Sequence, residues 1–175
     1  QIHFPSSQAD EVLSLRGSYE YNYFHFFYDT MRTFLLARRH IGENVPVLVG
    51  EELNRLPFFR AACDLGAFGE RVVHVQAKGQ VFAARTVYTA RAGHPLKADL
   101  LELCDHFGSP APPAGEGRKI YLGRGKAAQN KRSVRNEDDV VAALERRGFE
   151  HIDAPTLNLR EQMKVFSECD CVVAP

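Results

Sequence analysis

The sequence predicts an α/β protein in two parts, the second of them half of a Rossmann-like sheet. Short apolar strands alternate with amphipathic helices along most of the chain, the pattern of strand–helix–strand units. The run Gly108-Ser109-Pro110-Ala111-Pro112-Pro113-Ala114-Gly115-Glu116-Gly117 interrupts that alternation, because repeated proline and glycine continue neither a helix nor a central strand. Beyond it the order becomes regular: strand, helix, strand, helix, strand, a βαβαβ unit. Residues 1–108 are therefore expected to form one α/β domain, 109–117 a linker, and 118–175 the first part of a second domain.

In the first part, Asn22 to about His40 reads as an amphipathic helix. Phe24, Phe27, Tyr28, Met31, Phe34 and Leu35 recur at helical spacing, and Asn22 can cap it. A short apolar strand follows from Val45 to Val49, then a helix from about Leu56 to Leu65 with Pro57 near its first turn, where the missing N–H is no loss. Strands are expected near Arg71 to Val75 and Val81 to Thr89, and a further helix from Pro95 to Phe107.

The second part carries clearer punctuation. Its strands are expected at Lys119 to Leu122, Glu150 to Ile152 and Cys171 to Ala174, its helices at Glu137 to Arg147 and Leu159 to Glu168. Asn136 can cap the first helix, whose opening acids and closing arginines both suit the helix dipole, and Gly148 can end it. Asn158 with Glu161 has the spacing of a capping box. The stretch stops at Pro175 straight after an apolar strand, where a doubly wound domain places its next loop and helix, so this domain is expected to be cut short.

Composition narrows the partners. At 45% hydrophobic the chain can fill one ordinary domain or two small ones, and lysine plus arginine equals aspartate plus glutamate at 22 each. No overall field draws it to nucleic acid or to an anionic membrane, so any anion site is local. No apolar run approaches the roughly 20 residues of a transmembrane helix, and the N-terminus lacks the basic-then-apolar pattern of a signal peptide, so a soluble protein is expected. Cys63, Cys104, Cys169 and Cys171 show no Cys-x-x-Cys spacing and read as buried free thiols. His3, His40, His74, His94, His106 and His151 lack metal-ligand spacing, and no Asp-x-Asp segment is present to hold a divalent ion beside a diphosphate. No structural metal is expected. The absence of an Asn-x-Ser/Thr sequon favours a cytoplasmic setting.

Two constellations can carry chemistry. Lys119-Ile120-Tyr121-Leu122-Gly123-Arg124 is a strand that runs into Arg124, Lys126, Lys131, Arg132 and Arg135 and then into a helix opened by Asn136 and Glu137. Guanidinium groups and free backbone amides converge there at the carboxyl end of a strand, where open α/β sheets bind ligands, and a diphosphate is the natural guest. A solvated basic loop whose arginines pair with Glu137 and Asp138 is the competing reading. The second constellation is His25 and Asp29, four residues apart on an aromatic helix, with Arg32 three residues further on the same face. An imidazole beside a carboxylate can act as a general base, and it can equally be a satisfied structural pair.

These segments together resemble glycosyltransferase family 61. The resemblance rests on Asn22-Tyr23-Phe24-His25-Phe26-Phe27-Tyr28-Asp29, on Lys119 to Arg124 with Arg132 to Glu137, on Gly148-Phe149, and on Leu157-Asn158-Leu159-Arg160-Glu161-Gln162 through Phe166 to Pro175. It implies a GT-B-like architecture of two Rossmann-like domains, the first on the acceptor side and the second holding the nucleotide sugar. It also implies transfer of a sugar from a nucleotide diphosphate donor, a UDP-sugar before others, to a glycan or other hydroxyl acceptor, with inversion. His25 or Asp29 would then take the acceptor proton, and Arg124, Arg132, Arg135, Asn136 and Glu137 would hold the donor diphosphate, leaving the need for a divalent metal open. In the family a His-Gly-Ala-Gly segment follows the position of Pro175 and contributes to the donor site, so this stretch falls short of a complete one. A bacterial reading places the protein in the cytoplasm in capsular or other surface polysaccharide synthesis, a eukaryotic one in the Golgi or endoplasmic reticulum lumen. The alternative is a Rossmann-like module that binds a nucleotide or phosphorylated ligand without chemistry.

Overall fold

The computed structural model describes residues 7–17, 19–91, 93–94, 96–108, 117–123 and 134–175. It divides into two compact units, Gln1–Phe107 and Gly108–Pro175, each α/β with parallel strands. Residues 109–116 of the expected linker lie outside the described residues.

The first unit is built on a four-stranded sheet of order β3-β2-β1-β4, from β1 (Ser7–Ser14), β2 (Val47–Gly50), β3 (Val73–Gln76) and β4 (Phe82–Tyr88). Every pairing is parallel: Leu13 lies opposite Val47, Val47 opposite Val73, and β1 runs beside β4 from Ser7↔Phe82 to Leu13↔Tyr88. Sequence patterning locates β2, β3 and β4 but not β1. Asp10 and Glu11 break its alternation, and its strand character comes from pairing on both sides and from burial of Val12 and Leu13, both 0% exposed.

The expected helix from Asn22 is present, though not as a uniform α-helix. It runs through α1 (Tyr23–His25), a π-helical stretch (Phe26–Met31) and α2 (Arg32–Ala37). A π turn holds about one residue more than an α turn, so the apolar stripe slips. Phe26, Met31, Phe34 and Leu35 face the core, while Phe24, expected there, is 57% exposed. The core also takes Leu53 from α3 (Glu51–Asn54) and Phe59 from α4 (Pro57–Asp64). Phe26 meets Phe59 edge-on at 5.6 Å and Phe34 meets Phe68 at 5.1 Å, each buried ring contributing on the order of 1.5–3 kcal/mol. Helix α5 (Lys97–His106) closes this unit.

The second unit is the expected βαβαβ: β5 (Arg118–Gly123), α6 (Glu137–Glu145), β6 (Phe149–Asp153), a 3₁₀ turn (Ala154–Thr156), α7 (Leu159–Ser167) and β7 (Cys169–Val173). Its order is β6-β5-β7, all parallel, with Ile120 and Tyr121 of the central strand buried. In a dinucleotide-binding half the third strand would extend the sheet beyond the second. Here it pairs with the first, which puts a topological switch point between β5 and β7. The capping box on α7 forms in both directions, Asn158 N–H to Glu161 at 2.8 Å and Glu161 N–H to Asn158 at 3.0 Å. Asn136 does not cap α6: its backbone, at φ −116° and ψ 42°, lacks the extended cap geometry, and its side chain makes no cap hydrogen bond. At the other end of β5, Arg118 ties two acids together, reaching Glu150 at 2.5 Å and Glu168 at 3.1 Å, the first of which raises its pKa.

The four cysteines are free, as expected, but not uniformly buried: Cys169 is buried, Cys63 and Cys171 are half-buried and Cys104 is exposed. Among the described residues no helix is long and apolar enough to cross a membrane.

Candidate functional site

Asn22 positions the first constellation. Its side chain accepts from the N–H groups of Phe24 and His25, at 3.0 and 3.4 Å, and so starts the helix where His25 projects from its first turn. His25 Nδ1 meets Asp29 Oδ2 at 2.7 Å, with the side chains 38% and 55% exposed. The Tyr19 ring stacks on the imidazole at 5.2 Å and 27°, and Phe24 packs against its edge. In the tautomer whose Nδ1–H donates to the carboxylate, the lone pair stands on Nε2.

Arg32 does not join this pair. It turns inward to 5% exposure, donating to Tyr28 O at 3.3 Å, Gly93 O at 3.1 Å and Asp99 at 3.1 Å. The extra residue in the π turn again accounts for the change, because it rotates everything after Phe26 relative to a plain α-helix.

In the second unit, Arg124, Lys126, Lys131 and Arg132 lie outside the described residues. Arg135 and Asn136 are exposed at the start of α6, and among the described residues Arg135 pairs with neither Glu137 nor Asp138. Glu137 is held by Tyr121, whose hydroxyl donates to it at 3.1 Å, and burial together with this carboxylate pushes the Tyr121 pKa up. A Cβ on Gly123 would lie 2.4 Å from His151 Nε2 and 3.3 Å from Glu137, so His151, Glu137 and Tyr121 crowd the carboxyl end of β5. His151 is the residue that spacing along the chain missed; it arrives there because β6 pairs in register with β5, Tyr121↔His151.

Sequence reading also missed a cleft of about 550 Å³ in the first unit, at the carboxyl ends of β1, β2 and β3. Glu20 lines it at 5% exposure, paired to Arg16 at 2.9 Å, and Arg16 reaches Gln76 at 2.7 Å. Residues 16, 20, 50 and 76 are too far apart in the chain for any local motif to reveal them.

A family model described as Glycosyltransferase 61 matches residues 23–175, most of the chain. The chain belongs to glycosyltransferase family 61. No curated protein and no solved structure matches it.

Membership in family 61 implies a nucleotide-sugar donor and an acceptor. The match takes in both the His25–Asp29 pair and the β5–α6 junction of this family 61 chain. Among its described residues no three or more His, Cys, Asp or Glu side chains gather where they could hold a metal ion.

Proposed function

We propose that this family 61 chain is part of an inverting, GT-B-like glycosyltransferase, in which residues 1–108 serve the acceptor and 118–175 the donor. His25 takes the acceptor proton on Nε2 while Asp29 fixes the tautomer and steadies the imidazolium. The freed oxygen forms its bond to the anomeric carbon as the bond to the nucleoside diphosphate breaks. Arg124, Arg132 and Arg135 balance the charge on the leaving diphosphate, a role worth roughly 3–4 kcal/mol per well-placed donor, and Asn136 and Glu137 complete the donor side. Tyr121 holds Glu137 through its hydroxyl at 3.1 Å.

The observation that carries this reading is the 2.7 Å contact between His25 and Asp29, partly open to solvent and preset by the Asn22 cap. The sign of a module that binds without chemistry would be a filled or blocked acceptor cleft with His25 buried against the core; the 38% exposure of the His25 side chain favours the transferase. A UDP-sugar donor, a cytoplasmic setting and a part in bacterial surface polysaccharide synthesis belong to the same proposal.

Nucleoside diphosphate release from UDP-, GDP- and CDP-sugars by the intact protein tests it. His25→Ala is expected to slow release in the presence of acceptor by about 10²–10⁴-fold, and Arg132→Ala to cripple donor use. Wild-type turnover in both variants sinks the assignment, and nucleotide binding without release from any donor favours the binding module.

A further inference from the structure

The cleft at the carboxyl ends of β1, β2 and β3 contains a buried carboxylate with one oxygen unserved. Glu20 Oε1 accepts from Arg16 Nε–H, while Oε2 has no hydrogen-bond partner among the described residues. A buried acceptor without a donor costs free energy, and natural proteins seldom keep one unless something outside the fold supplies the donor.

The surroundings of Glu20 are built, not incidental. Gly50 ends β2, and a Cβ there would lie 2.1 Å from Glu20 Oε1 and 3.2 Å from Arg16 Cζ, so the pair is seated against bare backbone. Gln76 at the end of β3 is oriented from both ends, accepting from Arg16 at 2.7 Å and donating to Gln80 O at 2.9 Å. Three parallel strands therefore deliver fixed polar groups to one place, at the end of the sheet where α/β proteins bind ligands. The volume lies within the roughly 300–1,000 Å³ of small-molecule sites.

The charges choose among ligand classes. Glu20, Glu51 and Glu52 around the cleft disfavour phosphate. Arg16 on Glu20 and Lys78 at the rim disfavour a metal cation, and no three acidic side chains converge among the described residues. Acceptors beside donors, with little net charge, match the hydroxyl groups of a sugar ring, each of which both gives and takes a hydrogen bond.

We propose that this cleft binds a neutral polyhydroxylated ring, with Glu20 accepting a hydrogen bond from a ring hydroxyl and Arg16 and Lys78 donating to neighbouring ring oxygens. That the ring belongs to the acceptor rests on the transferase reading; that the cleft binds it does not. Glu20 and His25 hang on one turn, since Tyr19, next to Glu20, is the residue that stacks on His25.

Saturation-transfer NMR on the intact protein, with the methyl glycosides of xylose, glucose, galactose and mannose as probes and with inorganic phosphate and magnesium as comparison ligands, tests the site. At least one glycoside is expected to bind, about tenfold more weakly in Glu20→Gln, which keeps the shape but replaces an acceptor by a donor. Gly50→Ala is expected to weaken it similarly, since alanine accepts the backbone φ of −83° but displaces the carboxylate. Circular dichroism confirms that each variant is folded. Binding of no glycoside, equal binding in both variants, or preference for phosphate or magnesium overturns the proposal. A protein that binds the glycoside yet releases no nucleotide from any donor keeps the site and loses the transferase reading.

Discussion

Gly50 and Glu20 approach so closely that any side chain on residue 50 would meet the carboxylate, its Cβ falling 2.1 Å from Oε1. Thirty residues apart in sequence, they are brought together by the pairing of β1 with β2 and the turn that follows β1. Burial pushes the Glu20 carboxyl above its ordinary range, outweighing the charge and hydrogen bond of Arg16 and the N–H groups of Gly17 and Gly50. Between the unfolded and the higher folded pKa, the folded protein holds a proton that the unfolded chain has released. Stability from this group is full below the unfolded Glu pKa and is lost as pH rises through the higher folded value. Glu20→Gln, which has no proton to lose, is expected to flatten that decline above the ordinary glutamate range. Urea midpoints measured across pH give the answer, and parallel curves for the two proteins refute it.

Arg32 is the cation the first unit can least spare. Buried at 5% exposure, it donates to Tyr28 O, Gly93 O and Asp99, and its Asp99 partner also accepts the Leu96 N–H that opens α5. Truncation to alanine leaves a void and unserved carbonyls, so Arg32→Ala is expected to lower stability by about 2–4 kcal/mol. Denaturant unfolding checks this, and a change below about 0.5 kcal/mol would count against the role given to Arg32.

The two asparagines before α6 and α7 should behave differently. Asn158→Ala removes a reciprocal capping box and is expected to cost about 1 kcal/mol. Asn136→Ala removes no cap bond and is expected to stay within about 0.5 kcal/mol of wild type. Equal losses in the two variants would mean that Asn136 caps α6 after all.

Thiol chemistry separates the cysteines. Burial, helped by Asp64, pushes the Cys63 thiol up to about 11, leaving about one thiolate in ten thousand at neutral pH. Cys104 is exposed on α5. Iodoacetamide followed by peptide mass spectrometry is expected to label Cys104 first and Cys63 only after unfolding. Labelling of Cys63 at the same rate as Cys104 in the folded protein would contradict this.

The second unit was largely legible along the chain because its instructions are local. Apolar strands, helix caps and a glycine at φ +80° at residue 148 act within a few residues, and βαβαβ follows from them. Strand order was not legible: nothing local tells β7 to join β5 instead of β6, since that depends on which edge the α7 connection returns to. The His25–Asp29 contact was also readable, being a four-residue spacing on a helix, whereas the direction of Arg32 was not.

By itself, then, the amino-acid order determined the class of fold, the family, the Asn22 and Asn158 caps and the candidate pair on the first helix, all of which depend on residues close in the chain or on a linear pattern. Tertiary structure alone decided the central strand β1, the π turn that rotates the helix, and the meeting of Arg16, Glu20, Gly50 and Gln76. These depend on which surfaces pack, and burial energy is paid out between residues that the sequence keeps apart.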